Sequence, residues 1–186
     1  MSFAAVVLAA GASTRMGRPK ALLKLHGRSF VGCAVDLAVA AGCAPIAVVT
    51  GAIDLPDEPG TLRVHNPDWP LGQLGSLQRG LAALGDPTGV LVLTVDRPHL
   101  RPDTVVALVA AFRGAPDCLW QPEHRGRRGH PQIYPAALLP ALAALPPDAS
   151  PRDLIAGHAA LRRTLAVDDP AVLDNLDRPE DLARLP

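Results

Sequence analysis

Phe3-Ala-Ala-Val-Val-Leu-Ala-Ala-Gly-Ala-Ser-Thr-Arg-Met-Gly-Arg-Pro-Lys20 runs from an unbroken apolar segment into a basic, glycine-bearing loop. Residues Phe3 to Ala9 are apolar without alternation, the pattern of a strand buried on both faces, as in a parallel sheet covered by helices. Gly11 lets the backbone turn sharply and come close to a ligand. Ala9, Ala10 and Ala12 are small, so bulky ligand groups can lie against the main chain. Consecutive N–H groups in such a turn form an anion-binding nest. Arg15 and Lys20 add positive charge and directed donors for phosphate oxygens. Two commoner phosphate loops are excluded: neither Ser nor Thr follows Lys20, and Ser13 stands where GxGxxG needs its second glycine.

Outward from this stretch, strands and helices alternate. Phe30 to Ala41 has helical apolar spacing and is stopped by Gly42. Pro45–Thr50 and Leu62–His65 read as strands and Leu74–Leu84 as a helix. Gly89–Val95 is the clearest later strand and ends at Asp96. A helix begins at Pro102 and reaches Phe112, Cys118–Gln121 is a further strand, and residues 122–131 form a basic loop. Helices over Pro135–Leu145 and Arg152–His158, a strand over Leu161–Val167 and a short helix over Pro179–Leu185 complete the chain. The expectation is an α/β, Rossmann-like three-layer sandwich with a mostly parallel central sheet, residues 1–186 forming one domain.

Composition narrows the function. Of 186 residues, 48% are hydrophobic, enough for a sizeable core. Eighteen basic residues balance eighteen acidic ones, so nothing draws the chain to nucleic acid or a membrane surface. The charge is nonetheless uneven: no acid precedes Asp36, whereas Asp168, Asp169, Asp174, Asp177, Glu180 and Asp181 cluster late. The apolar Phe3–Ala12 run is too short to span a bilayer and lacks the flanks of a signal peptide. Cys33, Cys43 and Cys118 are odd in number and show no CxxC spacing, which fits the cytoplasm better than a disulfide framework or a zinc site.

Other positions carry chemistry. Asp96, at the C-terminal end of a central strand, faces the crevice where α/β proteins bind ligands, and one or two carboxylates plus phosphate oxygens suit Mg²⁺. Ser76, near a helix start, either caps the helix or offers its hydroxyl to a ligand. In Gly126-Arg-Arg-Gly-His-Pro131, Arg127, Arg128 and His130 either hold an anionic group such as a phosphate or form an exposed turn. Trp69 and Trp120 suit packing better than ring stacking.

The string LAAGxSxRMGxPK over Leu8–Lys20 resembles the signature of the MobA/MocA-like nucleotidyltransferases, especially the molybdenum cofactor cytidylyltransferases. The likeness continues in Gly72-Gln-Leu-Gly-Ser-Leu-Gln-Arg-Gly80, Asp96-Arg-Pro98, Gly126–Pro131 and Asp174-Asn-Leu-Asp-Arg-Pro-Glu-Asp181. It implies a fold of the nucleotide-diphospho-sugar transferase type. It also implies a nucleotide site of Leu8, Ala9, Ala10, Gly11, Ala12, Arg15, Lys20, Gly72 and Ser76, with Arg15, Lys20 and Asp96 catalytic. Mg²⁺ would sit on Asp96 with Asn175 or Asp177, and Arg127, Arg128 and His130 would take a phosphorylated acceptor such as molybdopterin cofactor. Ala10, where the guanylyl branch more often has a second glycine, leans the nucleotide toward CTP. Three positions depart from the pattern: Arg97 replaces Met, Arg178 replaces Thr and Asn175 replaces an acid. Arg97 either adds an anion contact or points to solvent. Two other classes stay open, a dinucleotide-dependent reductase and a nucleotide-binding module without turnover.

Overall fold

The computed structural model describes residues 2–185. In chain order its elements are β1 (Phe3–Leu8), β2 (Lys24–Leu25), β3 (Arg28–Ser29), α1 (Phe30–Ala40), β4 (Ile46–Thr50), β5 (Leu62–His65), α2 (Gln73–Ala82), β6 (Gly89–Thr94) and α3 (Pro102–Gly114). There follow β7 (Leu119–His124), β8 (Arg127–Arg128), β9 (Gln132–Pro135), α4 (Leu139–Ala143), α5 (Pro151–Gly157) and β10 (Arg162–Ala166). The main sheet has the order β10-β7-β9-β6-β1-β4-β5, with β8 paired to β7. Within that order β9 alone runs antiparallel to its neighbours, so the sheet is mixed but mostly parallel.

β1 is the centre, and all six of its residues are buried. Its side chains alternate between two cores. Phe3, Ala5, Val7 and Ala9 pack into the layer that holds Val31, Val35, Val105 and Leu108 of α1 and α3. Ala4, Val6, Leu8 and Ala10 pack into the layer that holds Leu74, Leu77, Leu142 and Leu154 of α2, α4 and α5. The apolar run therefore reflects burial from both sides. On the second face α2 lies so close that a Cβ on Gly80 would stand 2.7 Å from a Val6 methyl.

Register fixes the ligand crevice. β1 pairs in parallel with β4 on one side and β6 on the other, and Leu8 aligns with both Val49 and Thr94. The chain leaves β1 toward β4 and β5 on one side and then returns through α2 to β6 on the other. The C-terminal ends of β1 and β6 thus form a topological switch point, where crevices open in such sheets.

Two expectations are corrected and one element is added. Residues 122–131 are not a loop throughout: β7 continues through Pro122 to His124 and turns at Arg125-Gly126 into β8. The helix expected over Pro135–Leu145 begins later, because Gln132–Pro135 is a strand that pairs β6 with β7. A 3₁₀ turn at Ala136–Leu138 then leads into the short α4. The small β2–β3 hairpin was not anticipated; its two-residue strands are too short to show a period.

Candidate functional site

The loop after β1 is clamped at its base. Ala9 N–H donates to Val49 C=O and Ala10 C=O accepts from Ala52 N–H, both at 2.9 Å. Ser13 adopts the left-handed conformation, and its hydroxyl accepts from Lys20 N–H at 3.0 Å, which folds the loop back on itself. Met16 anchors the turn in the core, 2% exposed. Among the described residues the N–H groups of Gly11, Ala12 and Ser13 have no acceptor, the condition for an anion nest.

This loop faces a cavity of about 580 Å³, lined also by Gly72, Gln73 and Ser76 of the α2 entry, by Thr94–Asp96, by Trp69 and by Asp177. Leu8, Ala10, Gly11, Arg15 and Lys20 line it as expected. Ala9 does not, since it turns into the opposite core, and Ala12 is not in the lining either. Ser76 is not a cap: Gly72 holds that position, and the buried Ser76 hydroxyl accepts from Asn66 Nδ2 at 2.9 Å. Asn66, fully buried, also takes Asp68 N–H on its side-chain oxygen and so shapes the Trp69 turn at the cavity rim. Nothing in the sequence singled out Asn66, because its role lies in contacts across the fold.

Asp96 follows β6 and accepts from Thr94 Oγ1 and, at 2.8 Å, from Arg97, both on its Oδ1. Arg97 does not point to solvent. It is 8% exposed, and its guanidinium also reaches Thr94 Oγ1 at 2.8 Å and the side-chain oxygen of Asn175. Leu176 N–H donates to Asp96 C=O at 3.0 Å, which brings the late acidic segment against the strand end. Asp177 then lies between Lys20 Nζ, 2.7 Å, and Arg15, 3.0 Å. Burial pushes the Asp177 carboxyl up, but the hydrogen bond and charge of Lys20, with Arg15, outweigh it and hold the carboxyl below its ordinary range. Asp96 and Asp177 together offer a hard divalent ion two carboxylates beside a phosphate-binding loop, a donor set that fits Mg²⁺ or Mn²⁺. Among the described residues no larger His/Cys/Asp/Glu cluster forms.

A second cavity of about 470 Å³ lies beyond Arg97 and brings Arg127, Arg128 and His130 together with Arg152, Arg162 and Asn175. The arm that carries the first three is pinned by Gly129 N–H to Pro122 C=O, 2.8 Å, and by His130 N–H to Val172 C=O, 2.9 Å. Gly129 must be glycine, because any Cβ there would run into the Val172 carbonyl. Burial, and then the charge of Arg97, push the His130 imidazole down to about 4. It is neutral near pH 7, and its Nδ1 is buried without a partner. Trp120, by contrast, packs and donates to Ala115 C=O at 3.1 Å.

The model of the MobA-like NTP transferase domain matches residues 5–164. The chain belongs to this MobA-like family. Nicotine blue oxidoreductase of Paenarthrobacter nicotinovorans is 34% identical to it over 196 residues, covering 97% of this chain and 94% of that protein. Molybdenum cofactor guanylyltransferase of Xanthomonas euvesicatoria pv. vesicatoria (strain 85-10) is 43% identical over 95 residues, 51% of this chain and 47% of that one. The crystal structure of Rv0371c from Mycobacterium tuberculosis H37Rv superposes with a TM-score of 0.81 at 26% identity, covering 100% and 98% of the two chains. The manganese complex of the same protein gives 0.76 at 25%. The MobA-like chain thus has the nucleotide-diphospho-sugar transferase type of fold expected from its sequence, and its family is one of nucleotidyltransferases that use divalent metals.

Proposed function

We propose that this MobA-like chain transfers CMP from CTP to a phosphorylated acceptor of the molybdopterin type in the cytoplasm, with Mg²⁺ and release of pyrophosphate. One observation carries the reading. The phosphate loop with Arg15 and Lys20, and the strand-end Asp96, face one cavity, while the arginine-lined cavity begins at the residue bonded to Asp96. An acceptor oxygen would attack the α-phosphorus as the bond to the β-phosphate oxygen breaks. A phosphate monoester is largely dianionic at neutral pH, so no protein base has to remove a proton. The loop N–H groups, Arg15 and Lys20 hold the triphosphate, and Arg97 fixes the direction of Asp96. Such alignment of two anions is the main task of a transferase of this kind. Asp96, with Asp177 or Asn175, would hold a divalent ion, which would supply charge neutralisation at the phosphates. CTP is favoured because Ala10 takes the place of a glycine; the molybdopterin acceptor follows from the resemblance and from the relative named molybdenum cofactor guanylyltransferase.

The test is a thermal-shift panel of CTP, GTP and NADPH with and without Mg²⁺, followed by pyrophosphate release from wild type and Asp96→Asn. Stabilisation by CTP with Mg²⁺, and loss of release in a folded Asp96→Asn protein, support the reading. Full release by that variant removes Asp96 from the mechanism. A second reading is a reductase that holds a dinucleotide in the same loop, favoured by the extent of the match to nicotine blue oxidoreductase. NADPH oxidation without pyrophosphate release would select it.

A further inference from the structure

The two cavities differ in charge balance. The nucleotide cavity is lined by Arg15 and Lys20 against Asp96 and Asp177, two cations and two carboxylates. The second cavity is lined by Arg97, Arg127, Arg128, Arg152 and Arg162, with no carboxylate among its lining residues. Only Arg97 is offset, by Asp96. Arg127, Arg128, Arg152 and Arg162 form no ion pair among the described residues. Arg28, Arg63, Arg79, Arg101 and Arg184, elsewhere on the molecule, each lie against a carboxylate; Arg18, Arg113, Arg125, Arg163 and Arg178 form no ion pair among the described residues either, but none of them lines these cavities. The cavity's four charges without an ion pair arrive on different elements: two on β8, one on α5 and one at the start of β10; Glu123 stands cross-strand from Arg128 but makes no ion pair with it. What distinguishes these four is that they converge on one concave surface, where they focus the field on an incoming anion.

A phosphate monoester offsets about 1.5 to 2 of these charges. About two remain. Arg152 and His130 also border a third cavity, which shares Leu8, Gly72 and Thr94 with the nucleotide cavity. Arg127, Arg128 and Arg162 line the second cavity alone.

We propose that the acceptor carries a second anionic group besides the phosphate that attacks, and that Arg127, Arg128 and Arg162 seat it at the far end of this cavity. The attacking phosphate lies at the near end, between Arg97 and Arg152. The substrate class is a bis-anionic small molecule, a phosphorylated compound bearing a further phosphate or a group of comparable charge. This rests on the transferase reading for the assignment of the cavity to an acceptor; the requirement for two anionic groups comes from the charge count.

Straight-chain alkanediol bisphosphates of three to six carbons, and the matching hydroxyalkyl monophosphates, serve as probes in calorimetric titrations. The protein is first saturated with Mn²⁺ and the α,β-methylene analogue of CTP or GTP, whichever binds, and the titrations are repeated without nucleotide. At one or more chain lengths the bisphosphate should bind at least about tenfold tighter than its monophosphate, the contribution of one charge-assisted hydrogen bond. Arg128→Gln/Arg162→Gln should bring the ratio below about threefold with monophosphate affinity little changed, while Lys24→Gln/Arg113→Gln, the same charge change away from the cavities, should keep it. A wild-type ratio below about threefold at every length overturns the proposal, as does a ratio that survives in the double variant. Should that variant fail to fold, Arg128→Gln alone and the wild-type ratio decide. Nucleotide binding without bisphosphate preference sinks this inference and leaves the transferase reading standing; absence of any nucleotide binding sinks that reading.

Discussion

Arg97 holds two of the groups expected to meet the metal: its guanidinium lies 2.8 Å from Asp96 and takes the side-chain oxygen of Asn175. A charge that close opposes a divalent ion at the same carboxylate. At an effective dielectric of about 20, unit charges about 4 Å apart interact by about 4 kcal/mol, of which solvent screens a part. Arg97→Met is therefore expected to fold and to bind Mn²⁺ several-fold more tightly, as read by electron paramagnetic resonance of free Mn²⁺; unchanged affinity would show that Arg97 leaves the carboxylate untouched. Asp96 was legible in the sequence because a polar residue ends an apolar run. The direction of Arg97 was not, because it depends on Asn175, which the chain reaches only after the sheet is complete. His130 gives a second prediction. Its folded pKa, about 4, lies below the ordinary 6.5, so between these values the unfolded chain binds more protons. The group's contribution to stability is full above pH 6.5 and is lost as pH falls toward 4. His130→Asn should flatten that part of the urea-midpoint profile against pH; an unaltered slope would exclude His130 as its source.

β1 and β6 could be read as strands because both faces of each are buried and the sequence shows the uninterrupted apolar runs that result. β7 and β9 gave weaker signals. Pro122 and Glu123 lie inside β7, and β9 is four residues long and ends in Pro135. Proline and charge argue against a strand locally, but pairing with β10, β8 and β6 overrides that preference. The consequence reaches the site, since the arm from β7 through β8 to β9 carries Arg127, Arg128 and His130. At α2 the close approach of Gly80 to Val6 and Val49 makes helix position a matter of one methyl group. Gly80→Ala should cost about 1–3 kcal/mol, seen as a lower urea midpoint with an unchanged slope. A neutral result would mean that α2 shifts freely on the sheet, and Ser76 and Gln73 with it.

Taken whole, the molecule places the loop proposed to bind nucleotide and the arginines proposed to bind the acceptor on opposite sides of the switch between β1 and β6. The layer arrangement was legible from the alternation of elements, and the family from the loop; Arg152 and Arg162, which join Arg127 and Arg128 in the second cavity, were not, since they are distant in sequence and share no motif. A nucleotide that binds this crevice stabilises the whole fold by linkage. At a concentration about 100 times its dissociation constant the gain is about 2.7 kcal/mol, a rise of about 5–10 °C in melting temperature for a chain of this size. Asp96→Asn should reduce that rise when Mg²⁺ is present; an equal rise in both proteins would place the ion elsewhere. The ion pair between Lys20 and Asp177 joins residues 157 positions apart. Among the described residues every strand ends by Ala166, so the sheet's pairings do not include Asn175, Leu176 and Asp177, which dock on the finished strand ends. Until that segment docks, the crevice exists without its closing carboxylate, and Arg15 and Lys20 stand unneutralised beside the loop.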